Sequence, residues 1–91
     1  MNVKKITSST NAVFDGVYRI VRLRLVAGSD AASAILYDSL TQAGTDFCKL
    51  VTDTAADSDK ESFGWTEGLK TSLGVSVTLS GTGAVLYIYY A

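Results

Sequence analysis

The chain has 91 residues, a formal net charge of −1, one cysteine, no histidine and no proline. That length makes one small domain over residues 1–91, without an intrachain disulfide or a zinc site of the common Cys/His kind. The near-neutral balance gives no electrostatic case for a nucleic-acid partner, and an apolar content of 47% fits a globular chain and not a disordered one.

Residues 1–12 read as a weak strand or an arm. Lys4 and Lys5 give a basic start, but Thr7, Ser8 and Ser9 follow where a secretory signal needs an apolar core. No run approaches the roughly 20 apolar residues of a membrane helix, so neither a membrane nor a secretory leader is expected. Asp15-Gly16 marks a turn. Residues 17–27 carry the longest strand signal, with Leu23 and Leu25 on one face and Arg22, Arg24 and Val26 on the other. Arg19 interrupts the apolar face, which predicts a bulge or a crossing from core to surface.

Gly28-Ser29-Asp30 closes that strand. Residues 32–40 form a strand around Ile35, Leu36 and Tyr37, although Ala-rich sequence capped by Ser29 or Asp30 also suits a short helix. Residues 46–54 alternate Phe47, Lys49 and Val51 against Cys48, Leu50 and Thr52, and so form another strand. Residues 54–61 are polar and acidic and read as a surface loop. Phe63 and Trp65 mark a short apolar knot.

The end of the chain has the strongest pattern. Val75, Val77 and Leu79 alternate with Ser76, Thr78 and Ser80, giving one apolar and one wet face. Gly81-Thr82-Gly83 then supplies the backbone freedom of a hairpin turn. The closing strand is apolar on both sides: Val85, Tyr87 and Tyr89 on one, Leu86, Ile88 and Tyr90 on the other. Such a strand must be covered twice, once by its own core and once by something else, for which another subunit is one candidate. The whole reads as an all-β fold, a small antiparallel β-sandwich or barrel of six to eight strands.

No catalytic pattern emerges. Ser-His-Asp chemistry is excluded by the absence of histidine, and no cofactor motif is present; a non-enzymatic protein without cofactors is expected. Asp53, Asp57, Asp59 and Glu61 offer oxygens for a hard cation, but their spacing is not that of a calcium loop, and a solvated loop is the simpler reading. Cys48 reads as a small core residue. Arg19, Arg22 and Arg24, with Lys4 and Lys5, can form a basic strip; Arg22 and Arg24 share a face and suit an acidic protein partner, while surface charges pairing with nearby Asp and Glu are the simpler reading. Trp65, Tyr87, Tyr89 and Tyr90 suit either a core or an interface, because such side chains pack at one end and hydrogen-bond at the other.

From Tyr18-Arg19-Ile20-Val21 through Ser33-Ala34-Ile35-Leu36-Tyr37-Asp38 and Phe47-Cys48-Lys49-Leu50 to the Gly74–Ser80 strand, its glycine turn and the aromatic close, the order of parts resembles small all-β structural proteins of tailed bacteriophages. The resemblance implies a jelly-roll-like sandwich acting as a capsid decoration (cement) protein or related head or tail component. It implies a virion location after assembly in the host cytoplasm, a homo-oligomer with a trimer favoured, and the major capsid protein or another virion protein as partner. The interface would use Trp65, Tyr87, Tyr89, Tyr90, Arg22 and Arg24. The competing expectation is a receptor- or glycan-binding module of a fibre or tail.

Overall fold

The computed structural model describes residues 2–16, 18–44, 46–64 and 68–91. Among them are nine strands: β1 (Asn2–Ile6), β2 (Thr10–Asp15), β3 (Arg19–Val26), β4 (Ser33–Tyr37), β5 (Asp46–Val51), β6 (Ser58–Ser62), β7 (Leu69–Lys70), β8 (Gly74–Ser80) and β9 (Val85–Tyr90). The first sheet runs β1-β9-β3-β6, with the two-residue β7 also paired to β3; the second runs β2-β8-β4-β5. All pairs are antiparallel. With β7 set aside, β1 partners β9, β2 partners β8, β3 partners β6 and β4 partners β5, which is a long double ribbon rolled into two sheets. That is the strand order of a jelly roll, and the expected small β-sandwich is what the chain forms.

Period-two alternation builds the core. In β3, Leu23 and Leu25 point inward and are fully buried, while Arg22 and Arg24 are exposed. A register shift against β9 falls between Ile20 and Arg22, and both Ile20 and Val21 are buried there. This is the irregularity that Arg19 signals in the sequence, one step further along. Leu86 and Ile88 of β9 meet Leu36 of β4, Leu50 of β5 and Val75 and Val77 of β8 in one apolar cluster. The strand reading of residues 32–40 holds for Ser33–Tyr37, and β-branched and aromatic neighbours fit that pleat. At one end Phe14 stacks on Tyr18 with ring centroids 4.5 Å apart, and Tyr90 packs edge-on to Phe14 at 4.6 Å.

Four readings change. Strands β8 and β9 are not a hairpin, because they lie in different sheets. The turn at Gly81 carries the chain across the sandwich. It is pinned to the β3–β4 corner, where the Ser29 amide donates to the Thr82 carbonyl at 3.0 Å and the Thr82 amide donates to the Asp30 carboxylate at 2.7 Å. The corner is tight: a Cβ on Gly28 would overlap the Thr82 carbonyl and come within 2.8 Å of the Gly83 backbone. Second, the supposed wet face of β8 is covered. Ser76 is fully buried, its hydroxyl donating to the Ser39 carbonyl and accepting from the Ala12 amide, both at 2.9 Å. Third, the supposed loop over residues 54–61 contains β6, an edge strand with no apolar side chain. Backbone pairing to β3 suffices to hold it, with help from the Asp59 carboxylate, which accepts from the Val51 amide at 3.1 Å. Fourth, β2 went unread because its bulge between Thr10 and Phe14 breaks the alternation. Of the strand-or-arm alternatives at the start, residues 2–6 take the strand, paired along their length with β9.

The cover over β8 is itself anchored by Asp38. Its carboxylate accepts from the amides of Ser72 (2.9 Å), Leu73 (2.9 Å) and Gly74 (3.3 Å). The Leu73 amide holds this carboxyl below its ordinary range; partial desolvation opposes that, and the Ser72 and Gly74 amides add to it. A carboxylate with a lowered native pKa stabilises the fold above its unfolded value, near 3.9, and loses that contribution as the pH falls through the native pKa. Asp38→Ala is therefore expected to lower stability at neutral pH by up to about 1 kcal/mol, because the carboxylate that bonds the Ser72, Leu73 and Gly74 amides is largely screened by solvent. The gap between the two proteins in urea denaturation should close in acid; a gap independent of pH would contradict this account. Leu36→Ala, at the centre of the core, is expected to cost about 2–5 kcal/mol in the same titration.

Candidate functional site: the outer face of the first sheet

The strands that bury Leu23, Leu25, Leu86 and Ile88 must present their alternate residues to the outside. Cross-strand register aligns those residues in rows. One row is Lys5, Tyr87, Arg24 and Lys60; the next is Val3, Tyr89, Arg22 and Ser62; a shorter third is Val85, Val26 and Ser58. Tyr87, Tyr89, Val85 and Val26 are half-buried, and Lys5, Arg22, Arg24 and Lys60 are exposed. The Arg22 guanidinium lies over the Tyr89 ring at 4.3 Å from its centroid. Such a contact is worth about 0.5–1 kcal/mol at an exposed site, and it holds both groups in place ahead of any partner.

Between β3 and β6 the face dips into an open groove of about 470 Å³ lined by Arg22, Arg24, Ser58, Asp59 and Lys60. Asp59 is committed elsewhere, its carboxylate accepting from the amides of Val51 and Lys60. Among the described residues no carboxylate forms an ion pair with Lys5, Arg22, Arg24 or Lys60. The groove therefore presents cations that are free to meet an anion.

The structure brings four of the expected interface residues, Arg22, Arg24, Tyr87 and Tyr89, onto this one face. It sends Tyr90 inward, to the aromatic cluster with Phe14 and Tyr18. Trp65 lies outside the described residues. Sequence reasoning grouped Lys5 with Arg22 and Arg24 as a basic strip but missed Lys60 and Val3. Val3 and Lys5 alternate in β1, and Asp59-Lys60-Glu61 alternates in charge along β6, so a period-two reading of either segment would have placed them.

The acidic residues gather elsewhere. Alternation in β6 turns Asp59 and Glu61 away from Lys60, towards β5 and Cys48. The half-buried Cys48 thiol is pushed up chiefly by burial, and then by the nearby carboxylates of Glu61, Asp59 and Asp46. Among the described residues no group of three or more Asp, Glu or Cys side chains is arranged to hold a metal ion. Asp57 instead accepts from the Ser58 amide at 2.8 Å. No described helix is long and apolar enough to cross a membrane. No protein-family model, curated protein or solved structure matches the chain.

Because the thiolate is the reactive form, Cys48 is expected to react with an aromatic disulfide reagent at pH 7.5 about tenfold or more slower than a free cysteine. A rate equal to that of free cysteine would show that neither the burial nor the carboxylates act on it.

Proposed function

We propose that the chain is a non-enzymatic structural protein of a virion, a capsid decoration protein that binds the assembled shell in many copies and stabilises it. The observation that carries this reading is the outer face of the first sheet. It sets half-buried Tyr87, Tyr89, Val85 and Val26 among exposed arginines and lysines. Tyrosine and arginine are the residues enriched at protein interfaces, and a sheet that buries aromatics on its outer side leaves apolar area that a partner would cover. The jelly-roll order adds support, since this architecture recurs in capsid proteins. The fold alone decides no function.

On this reading Arg22, Arg24, Tyr87 and Tyr89 form the contact, and the protein associates with itself, a trimer being favoured. It binds the major capsid protein or another virion protein, and it ends in the virion. Binding only to the assembled shell shifts assembly towards that shell by mass action.

Lectins share the jelly-roll architecture, and Tyr87 and Tyr89 lie on one face two positions apart in β9, a spacing of about 6.7 Å that suits stacking on sugar rings. A receptor- or glycan-binding module is the second reading.

Light scattering on a size-exclusion column, followed by co-sedimentation with shells assembled from a tailed-phage major capsid protein, tests both. The decoration reading expects a closed oligomer, saturable binding to shells, and about tenfold or greater loss of binding in Tyr89→Ala, the size of effect typical of an interface anchor. A protein that ignores shells and whose tyrosine fluorescence responds to a glycan would move the assignment to the second reading.

A further inference from the structure

The charges of this molecule are segregated, although they nearly cancel in sum. The outer face of the first sheet carries Lys5, Arg22, Arg24 and Lys60. The flank where β5 and β6 approach each other carries Asp46, Asp59 and Glu61, and the connection between those strands adds Asp53 and Asp57. Lys49 also lies on β5, but alternation with Cys48 and Leu50 turns it to the outer face of the second sheet. Strand β6 makes the division by itself: Lys60 pairs across to Arg24 on the outer face, while Asp59 and Glu61 alternate to the other side.

We propose that the basic, tyrosine-bearing face of the first sheet docks the acidic β5–β6 flank of a second copy, head to tail. The inference rests on the self-association in the reading above and names its geometry. Three observations carry it. The cations of the face have no carboxylate partner within the chain among the described residues. Arg22 is already ordered on Tyr89, so little side-chain freedom is lost on docking. The complementary surface is present on every copy, and it cannot reach its own basic face, because both flank β6 within one rigid sandwich.

The size of the face sets the strength. Four strands about 4.8 Å apart and about five residues long project roughly 300 Å², well under the about 800 Å² per partner of a stable complex. One contact is therefore weak and driven by charge. A heterologous contact can repeat, and it gains strength when it closes a ring or when copies are held on a common surface.

Charge reversal tests the pairing. The face variant is Arg22→Glu with Arg24→Glu; the flank variant is Asp46→Lys with Glu61→Lys. All four side chains are exposed, and near-UV circular dichroism checks that each variant is folded. Light scattering is expected to find the unaltered chain above its 9.6 kDa monomer mass in low salt. The apparent dissociation constant should rise about tenfold or more between about 50 mM and about 500 mM NaCl, as exposed charge pairs become screened. Each variant alone should be monomeric, and an equimolar mixture of the two should associate again.

An oligomer that ignores salt and both variants would overturn the head-to-tail contact and leave self-association standing. A monomer under all conditions that still sediments with shells would overturn the contact alone, and one that does not sediment would overturn the decoration reading as well. Binding of a 15-residue poly-glutamate or a 15-nucleotide oligothymidylate by a monomer, lost in the face variant, would assign the face to a different partner and overturn the proposal.

Discussion

The backbone ladder between β3 and β9 is the seam on which both core and surface depend. Its register sets Leu23 against Ile88 and Leu25 against Leu86, all fully buried. The same register fixes Arg22 beside Tyr89 and Arg24 beside Tyr87 on the opposite side. A slip of one residue would exchange the two sets, putting arginines into the core and leucines into water. The cost of burying unpaired guanidinium groups is several kcal/mol each. The core thus enforces the arrangement of the outer face, and that face is ordered before any partner arrives. The bulge at Ile20 and Val21 belongs to this logic. It lets the strand bury two successive residues at its start and then resume alternation in the phase that sends Arg22 and Arg24 out.

The parts of the fold that were legible are those rich in apolar, β-branched and aromatic residues, most of them with a side-chain period of two. Residues 19–26, 33–37, 46–51 and 85–90 declare themselves by side-chain period, and three of the four flank the centre of a sheet. The parts that were not legible are governed by backbone pairing or by distant covers. Strand β6 has nothing apolar to signal it, yet β3 offers it a full row of hydrogen-bonding groups. Ser76 looks like a solvent residue by composition, and becomes buried only because residues 38–42 fold over it, with Thr78 donating to Gln42 at 2.9 Å and Gln42 bonding Asn11 at 3.0 Å. Most of the candidate site was legible for the same reason. Arg22, Arg24, Tyr87 and Tyr89 lie on well-patterned strands and Lys5 joins them as part of a basic strip, whereas Val3 and Lys60 lie on edge strands whose sequence is mostly polar.

The difference between a hairpin and a crossover at Gly81 was beyond local sequence. Two strands joined by a glycine turn can pair with each other or with strands made much earlier in the chain. Here the jelly-roll order takes the second course: β8 inserts between β2 and β4, and β9 inserts between β1 and β3. What favours this is the demand of each strand for a covered side. Strand β8 buries Gly74 through Val77 without a break, so it needs the interior of a sheet and a lid. Strand β9 buries Leu86 and Ile88 against the opposite sheet, and pairing with β8 would have left it without one. The corner built from Gly28, Asp30 and Thr82 fixes the outcome sterically, because it has room for backbone alone.

Such a topology has a consequence for how the molecule meets others. Its central strands are joined by contacts far apart in sequence, so the sheets form one cooperative unit, and the free edges are left to β1, β6, β2 and β5. Exposed edges invite unplanned strand addition, and charge on them opposes it. Lys4 and Lys5 stand on β1, and Asp59, Lys60 and Glu61 on β6. The charges on β6 therefore act twice. They keep the edge from pairing indiscriminately, and by alternating in sign they give the two sides of the strand opposite electrostatic character.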